Sequence, residues 1–250
     1  MIAAYSCERI LNQVDLADNQ LSLIQDQIYS ALATNVWARA LVGEAAYGLE
    51  GFTMMPLEMA ELWFADANPR FPPESPRTLE YTLYSWSGLE ATDRECYIDT
   101  MIQMQAAAKE ELPRRLTLAS NIAYEVSGGT NRMPFVKSLT RMLIPSIADG
   151  FYRDARSTAT LRCGLAALAV ERFRIAHDGK LPSGLAELVP QFLAAVPADP
   201  YDGKPLRFRP LAKGFVVYSL GEDADDDGGR PRKIGQKVAG DYDVTFRIER

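Results

Sequence analysis

The segment Leu161-Arg-Cys163-Gly164-Leu165-Ala-Ala-Leu168-Ala-Val170-Glu-Arg-Phe173 decides the fold, because as a helix its middle is apolar on every side. A helix at a surface shows one apolar stripe; one that is apolar all round is buried on more than one face. Gly164, Ala166, Ala167 and Ala169 would let neighbouring backbone come close. The helix is predicted over residues 157–176, with Gly179 as its terminating glycine and Pro182 shortly after. Downstream, Leu181-Pro-Ser-Gly-Leu-Ala-Glu-Leu-Val-Pro190 reads as a short helix bracketed by prolines. Pro197-Ala-Asp-Pro200-Tyr-Asp202-Gly203-Lys204-Pro205 reads as a pair of turns. Residues 206–209 and 215–220 flank the turn Pro210-Leu-Ala-Lys-Gly214 as a hairpin, and Tyr242, Val244, Phe246 and Ile248 alternate along a last strand. One long helix on a three-stranded antiparallel sheet is an α+β arrangement.

Upstream of that helix the apolar spacing is helical. Leu21, Ile24, Ile28 and Leu32 form one stripe, with Asp18 or Asn19 as its cap, and a second helix runs from Val36 to about Phe52 behind Asn35. Prolines 69, 72, 73 and 76 make residues 67–76 a connection, a helix or pair of helices opens at Thr78 and runs until Pro113, and Ser127-Gly-Gly-Thr-Asn131 marks another loop. The chain is therefore expected to be an all-helical region over residues 1–150 followed by an α+β domain over 151–250.

Composition narrows the function classes. The 250 residues are 47% hydrophobic and 24% charged, which suits a globular core. A net charge of −6 without a basic block argues against nucleic acid, and no run approaches the roughly 18 apolar residues of a membrane span. Cys7, Cys96 and Cys163 are odd in number and widely spaced, so they read as small buried hydrophobes. A lone histidine, His177, excludes histidine-rich metal sites and reads as a last-turn residue rather than a base. Glu44, Glu61, Asp66 and the run Asp93-Arg94-Glu95 supply carboxylates for acid/base work, but charges on amphipathic helices ordinarily face water.

The densest chemistry lies in Ser219-Leu-Gly-Glu222-Asp223-Ala-Asp225-Asp226-Asp227-Gly228-Gly229, with five carboxylates in six positions. Such crowding calls for a counter-charge or stays in water. Asp223, Asp225 and Asp227 before Gly228 fit the D-x-D-x-D-G opening of a calcium loop. The glutamate that would close an EF-hand is Ile234 here, and the flanks read as strands, so Asp241 and Asp243 are the nearest candidates for the missing oxygens. In the alternative, metal-free reading the carboxylates are solvated or paired with Arg230, Arg232 and Lys233.

The order of the long helix, His177-Asp-Gly-Lys-Leu-Pro182, Leu185-Ala-Glu-Leu-Val-Pro190, Val196-Pro-Ala-Asp199-Pro200, Gly203-Lys-Pro205 and Phe215-Val-Val-Tyr-Ser-Leu-Gly221-Glu-Asp223 resembles the globular domain of the major pseudopilins of type II secretion. The resemblance covers about residues 157–250. It implies a calcium loop closing onto the sheet, with Leu220 through its carbonyl, Asp223 and a later aspartate such as Asp241 as ligands. A pseudopilin begins with a cleavage site and an apolar anchoring helix, which the first 30 residues do not resemble; uncharacterised bacterial proteins that set such a block behind a helical region are the nearer likeness. The expected function is a structural or protein-interaction role, without catalysis, in a secretion or envelope setting, with calcium as the bound ion. The alternative is a hydrolase whose carboxylate site, with Glu44, lies between helical half and sheet. The compartment expected is cytoplasmic for a complete chain and periplasmic or envelope for one that has lost an anchor.

Overall fold

The computed structural model describes residues 2–52, 87–127, 137–231 and 242–249. They form helices α1 (Ile2–Leu11), α2 (Asp18–Leu32), α3 (Val36–Gly51), α4 (Leu89–Ala107), α5 (Arg114–Ser127) and α6 (Ser138–Ala176), a short 3₁₀ helix (Leu185–Leu188), and strands β1 (Arg207–Pro210), β2 (Phe215–Ser219) and β3 (Val244–Ile248). The class is α+β. The chain divides into two compact units, Met1–Asn35 with Tyr152–Arg250, and Val36–Phe151. Glu61, Asp66, Asp241, the connection over 67–76, the helix opening at Thr78 and the loop at 128–131 lie outside the described residues.

In the first unit the strands are antiparallel in the order β1-β2-β3, with Phe208 opposite Val217 and Val217 opposite Phe246. The hairpin turn closes through the Leu211 amide donating to the Gly214 carbonyl at 2.9 Å. Gly214 is required there: its φ is +93°, and a Cβ would stand 1.9 Å from the Ile248 carbonyl oxygen. Val244, Phe246 and Ile248 are buried in alternation with half-buried Thr245 and Arg247. One face of the sheet packs on α6, where Phe215, Val217, Phe246 and Ile248 share a core with residues 165–170. A Cβ on Gly164 would lie 3.3 Å from the Phe246 ring, so the small residue sets the closeness of helix and strand.

Helices α1 and α2 also belong to this unit, because α6 has a second apolar face to cover. Leu11, Leu21 and Ile28 join the same core, with Ile24 and Leu32 packed against it. Polar ties fix them. The Gln25 amide group, itself buried, donates to the Leu165 and Phe192 carbonyls at 3.3 Å each and accepts from Arg172 at 2.8 Å. Arg172 also pairs with Asp18 at 2.7 Å. Asp18 is thus the first helical residue rather than the cap; Ala17 takes the cap position, its amide donating to the Gln20 side chain at 3.0 Å. Helix α1 closes the open edge of β3: the Arg247 amide donates to Glu8 at 2.9 Å, its carbonyl accepts from Asn12 at 2.9 Å, and the Glu249 amide donates to Asn12 at 2.7 Å. These bonds occupy the Arg247 and Glu249 main-chain groups that a further strand would need at that end of the edge.

In the second unit α3 packs on α4 through Gly48, where the Tyr97 hydroxyl passes close enough to donate to the Glu44 carbonyl at 3.0 Å. Burial pushes the Tyr97 phenol up to about 12. Trp37 meets Phe151 edge-on at 5.6 Å and lies over Gly150. Asp93 of α4 is fully buried and caps α6, accepting from the Leu139 amide at 2.9 Å, the Thr140 amide at 3.2 Å and the Thr140 hydroxyl. Helix α6 therefore begins at Ser138, well before the expected residue 157, and runs through Pro145. Proline forfeits one helical hydrogen bond, but buried Ile144, Ile147 and Phe151 hold that stretch in place. Of the cysteines, Cys163 is buried as expected, whereas Cys7 and Cys96 are only half-buried. Among the described residues no helix is long and apolar enough to cross a membrane.

Candidate functional site: the acidic loop and the turn beneath it

Strand β2 is buried along its whole length because both faces of the sheet are covered there. Phe215 and Val217 face α6; Val216 and Tyr218 face the acidic loop, which returns across them. Gly229 (φ +77°) is the point of contact, since a Cβ on it would lie 3.0 Å from Val216 and 3.1 Å from Tyr218. The loop turns on its own aspartates: Asp223 accepts from the Asp225 amide at 3.3 Å, and Asp226 from the Gly228 amide at 2.9 Å.

At the end of β2 the main chain is held from outside the loop. Asp199, fully buried, accepts from the Tyr201 amide at 2.9 Å, the Ser219 hydroxyl at 2.8 Å, the Leu220 amide at 2.9 Å and the Arg207 guanidinium. Arg207 bridges onward to Asp202. Burial would push the Asp202 carboxyl up, but the bonds from Arg207 and the Lys204 amide outweigh it and hold that carboxyl below its ordinary range.

Asp243 closes the other end. It is 2% exposed, and its Oδ2 accepts from the Gly229 amide at 2.7 Å and the Arg230 amide at 3.2 Å, while its own amide donates to the Arg230 carbonyl at 3.0 Å. Among the described residues its Oδ1 is buried with no hydrogen-bond partner, and Asp227 Oδ2 is in the same condition. Burial pushes the Asp243 carboxyl up to about 6; the two amides oppose that shift, and the charges of Asp226 and Asp227 add to it. Tyr218 is raised to about 12 by burial, then by the charge of Asp226 and a hydrogen bond to it.

Of the sequence-predicted ligands, Leu220 is buried with its amide on Asp199, Asp227 is half-buried, Asp243 is buried, and Asp223 and Asp225 are exposed. Among the described residues no three His, Cys, Asp or Glu side chains converge as a metal cage. Two carboxylate oxygens, Asp243 Oδ1 and Asp227 Oδ2, are buried and without a hydrogen-bond partner among the described residues, and oxygen donors of this kind suit a hard cation such as Ca²⁺ rather than a transition metal. Two residues that sequence reasoning passed over matter here: Asp226, which engages Tyr218, and Asp199. The sequence signals for Asp199 were its position in a proline-bounded turn and its place in the motif Val196-Pro-Ala-Asp199-Pro200.

The remaining candidates have structural roles or face water. His177 is exposed, just past the end of α6, with Nδ1 donating to the Phe173 carbonyl at 2.8 Å and its ring stacked 3.8 Å from Phe173. The Gly179 amide completes that helix end on the Arg174 carbonyl at 2.8 Å. Asp93 is committed to its helix cap, and Glu44 and Glu95 are exposed. In comparisons with known proteins no family model matches the chain, and neither a curated protein nor a solved structure matches it.

Proposed function

We propose that residues 151–250 form a pseudopilin-like domain stabilised by calcium, within a protein whose role is structural or interactive rather than catalytic. The observation that carries the reading is two buried carboxylate oxygens without partners among the described residues, Asp227 Oδ2 on the loop that lies across the sheet and Asp243 Oδ1 at the start of the last strand. An unpaired buried anion is costly, and a bound cation would remove that cost in the folded state alone. Leu220 through its carbonyl and Asp223, Asp225, Asp227, Asp241 and Asp243 would hold the ion; calcium would neutralise the loop and fasten it to β2. The shared order of motifs from α6 to Asp223 supports the family likeness and a secretion or envelope setting. Exposed apolar side chains on α3 and α4, Val42 and Tyr47, and Ile98 with Ile102 one turn on, support the interaction half of the reading. The test is the thermal midpoint in millimolar Ca²⁺ and in EDTA. A rise with calcium that Asp223→Ala reduces is expected; an identical midpoint in both buffers would refute the reading.

A further inference from the structure

We infer that Asp199 is the positioning residue of the calcium loop, setting the main chain at Ser219 and Leu220 from a separate turn of the chain; this rests on the calcium reading above. The ladder between β2 and β3 ends at Ser219 opposite Val244. Asp199 takes over at that point, accepting from the Ser219 hydroxyl at 2.8 Å and the next amide, Leu220, at 2.9 Å. On the far side Gly221 continues with φ +84°, where a Cβ would lie 3.1 Å from the Tyr242 carbonyl oxygen. The main chain from 219 to 221 is therefore fixed from both sides before the acidic run begins. Asp199 in turn is held by Arg207 and the Tyr201 amide, and Arg207 by Asp202, so its carboxylate has no freedom to follow the loop. The Leu220 carbonyl lies in the next peptide, between the amide that Asp199 holds and Gly221 with its fixed φ; a carbonyl set in this way needs little ordering when the ion arrives, and that ordering cost otherwise weakens binding. Asp199 acts through Leu220 and is not itself a ligand, since its two oxygens already have four protein donors.

The test is calorimetric titration of Ca²⁺ into wild type, Asp199→Asn, Ser219→Ala and the core control Leu21→Ala, below every EDTA midpoint. Asp199→Asn should weaken calcium about tenfold and Ser219→Ala about threefold. Leu21→Ala should lower the EDTA midpoint while leaving the dissociation constant within about twofold. A dissociation constant unchanged in Asp199→Asn, or in Ser219→Ala if the first variant does not fold, would overturn the assignment, as would equal weakening by Leu21→Ala. Wild type giving no calcium heat would overturn the calcium reading itself, a result the variants are not needed to obtain.

Discussion

Asp199 and Asp243 are both buried at the same end of the sheet and both accept main-chain amides, yet their surroundings differ. Asp199 has donors on both oxygens, one of them a guanidinium. Asp243 has two amides on one oxygen, no partner on the other among the described residues, and the charges of Asp226 and Asp227 close by. The first carboxylate carries a guanidinium; the second, among the described residues, is hydrogen-bonded by main-chain amides alone. The proposed cation therefore goes with the loop after Gly221 rather than with the turn beneath it, and the two are joined through Leu220.

The largest loss is expected at Asp199. Removing one partner of a buried ion pair leaves the other uncompensated, so Asp199→Ala should cost about 3 kcal/mol or more in urea unfolding, with or without calcium. A loss confined to calcium-loaded protein would mean that Asp199 belongs to the metal site. Gly229→Ala is next: its φ of +77° and the approach to Val216 and Tyr218 should cost about 1–2 kcal/mol, read as a lower urea midpoint.

Proton binding sharpens the contrast. The Asp243 carboxyl titrates at about 6 when folded against an ordinary 3.8, so the folded state holds the proton more tightly. In EDTA its contribution should therefore improve as pH falls from about 7 through 6 towards 4, and Asp243→Asn should flatten that part of the profile. Saturating calcium should reverse the sign, because protons then compete with the ion. A wild-type profile in EDTA that the Asn variant does not alter would remove Asp243 from the account. The smallest effect expected is that of Glu44→Ala, an exposed helical position, within about 0.5 kcal/mol of wild type by urea unfolding.

The fold was legible where local pattern reports burial. The alternation from Val244 to Ile248 and the all-round apolar stretch at 161–173 specify a half-buried strand and a doubly covered helix without knowledge of their partners. What covers the helix was not legible. Residues 1–35 join the sheet through Asn12, Glu8 and the edge of β3, more than 200 positions away, and no local feature encodes such a pairing. The start of α6 was obscured by Pro145, which a sequence reading treats as a break and buried neighbours override. In the loop, the alternation of aspartates 223, 225 and 227 was legible, but not the turns at Asp223 and Asp226 or the path across β2 that brings Asp226 to Tyr218 and leaves Asp223 and Asp225 exposed.

The proposed cation position is the one where Asp243 Oδ1 and Asp227 Oδ2 have no partner among the described residues. A crystal structure of the full chain grown with calcium tests it directly. The account predicts ion density about 2.3–2.6 Å from Asp243 Oδ1 and Asp227 Oδ2, with the Leu220 carbonyl among the remaining ligands. A well-ordered loop in which water or a side chain occupies that position at saturating calcium, with no ion bound by these oxygens, would contradict it.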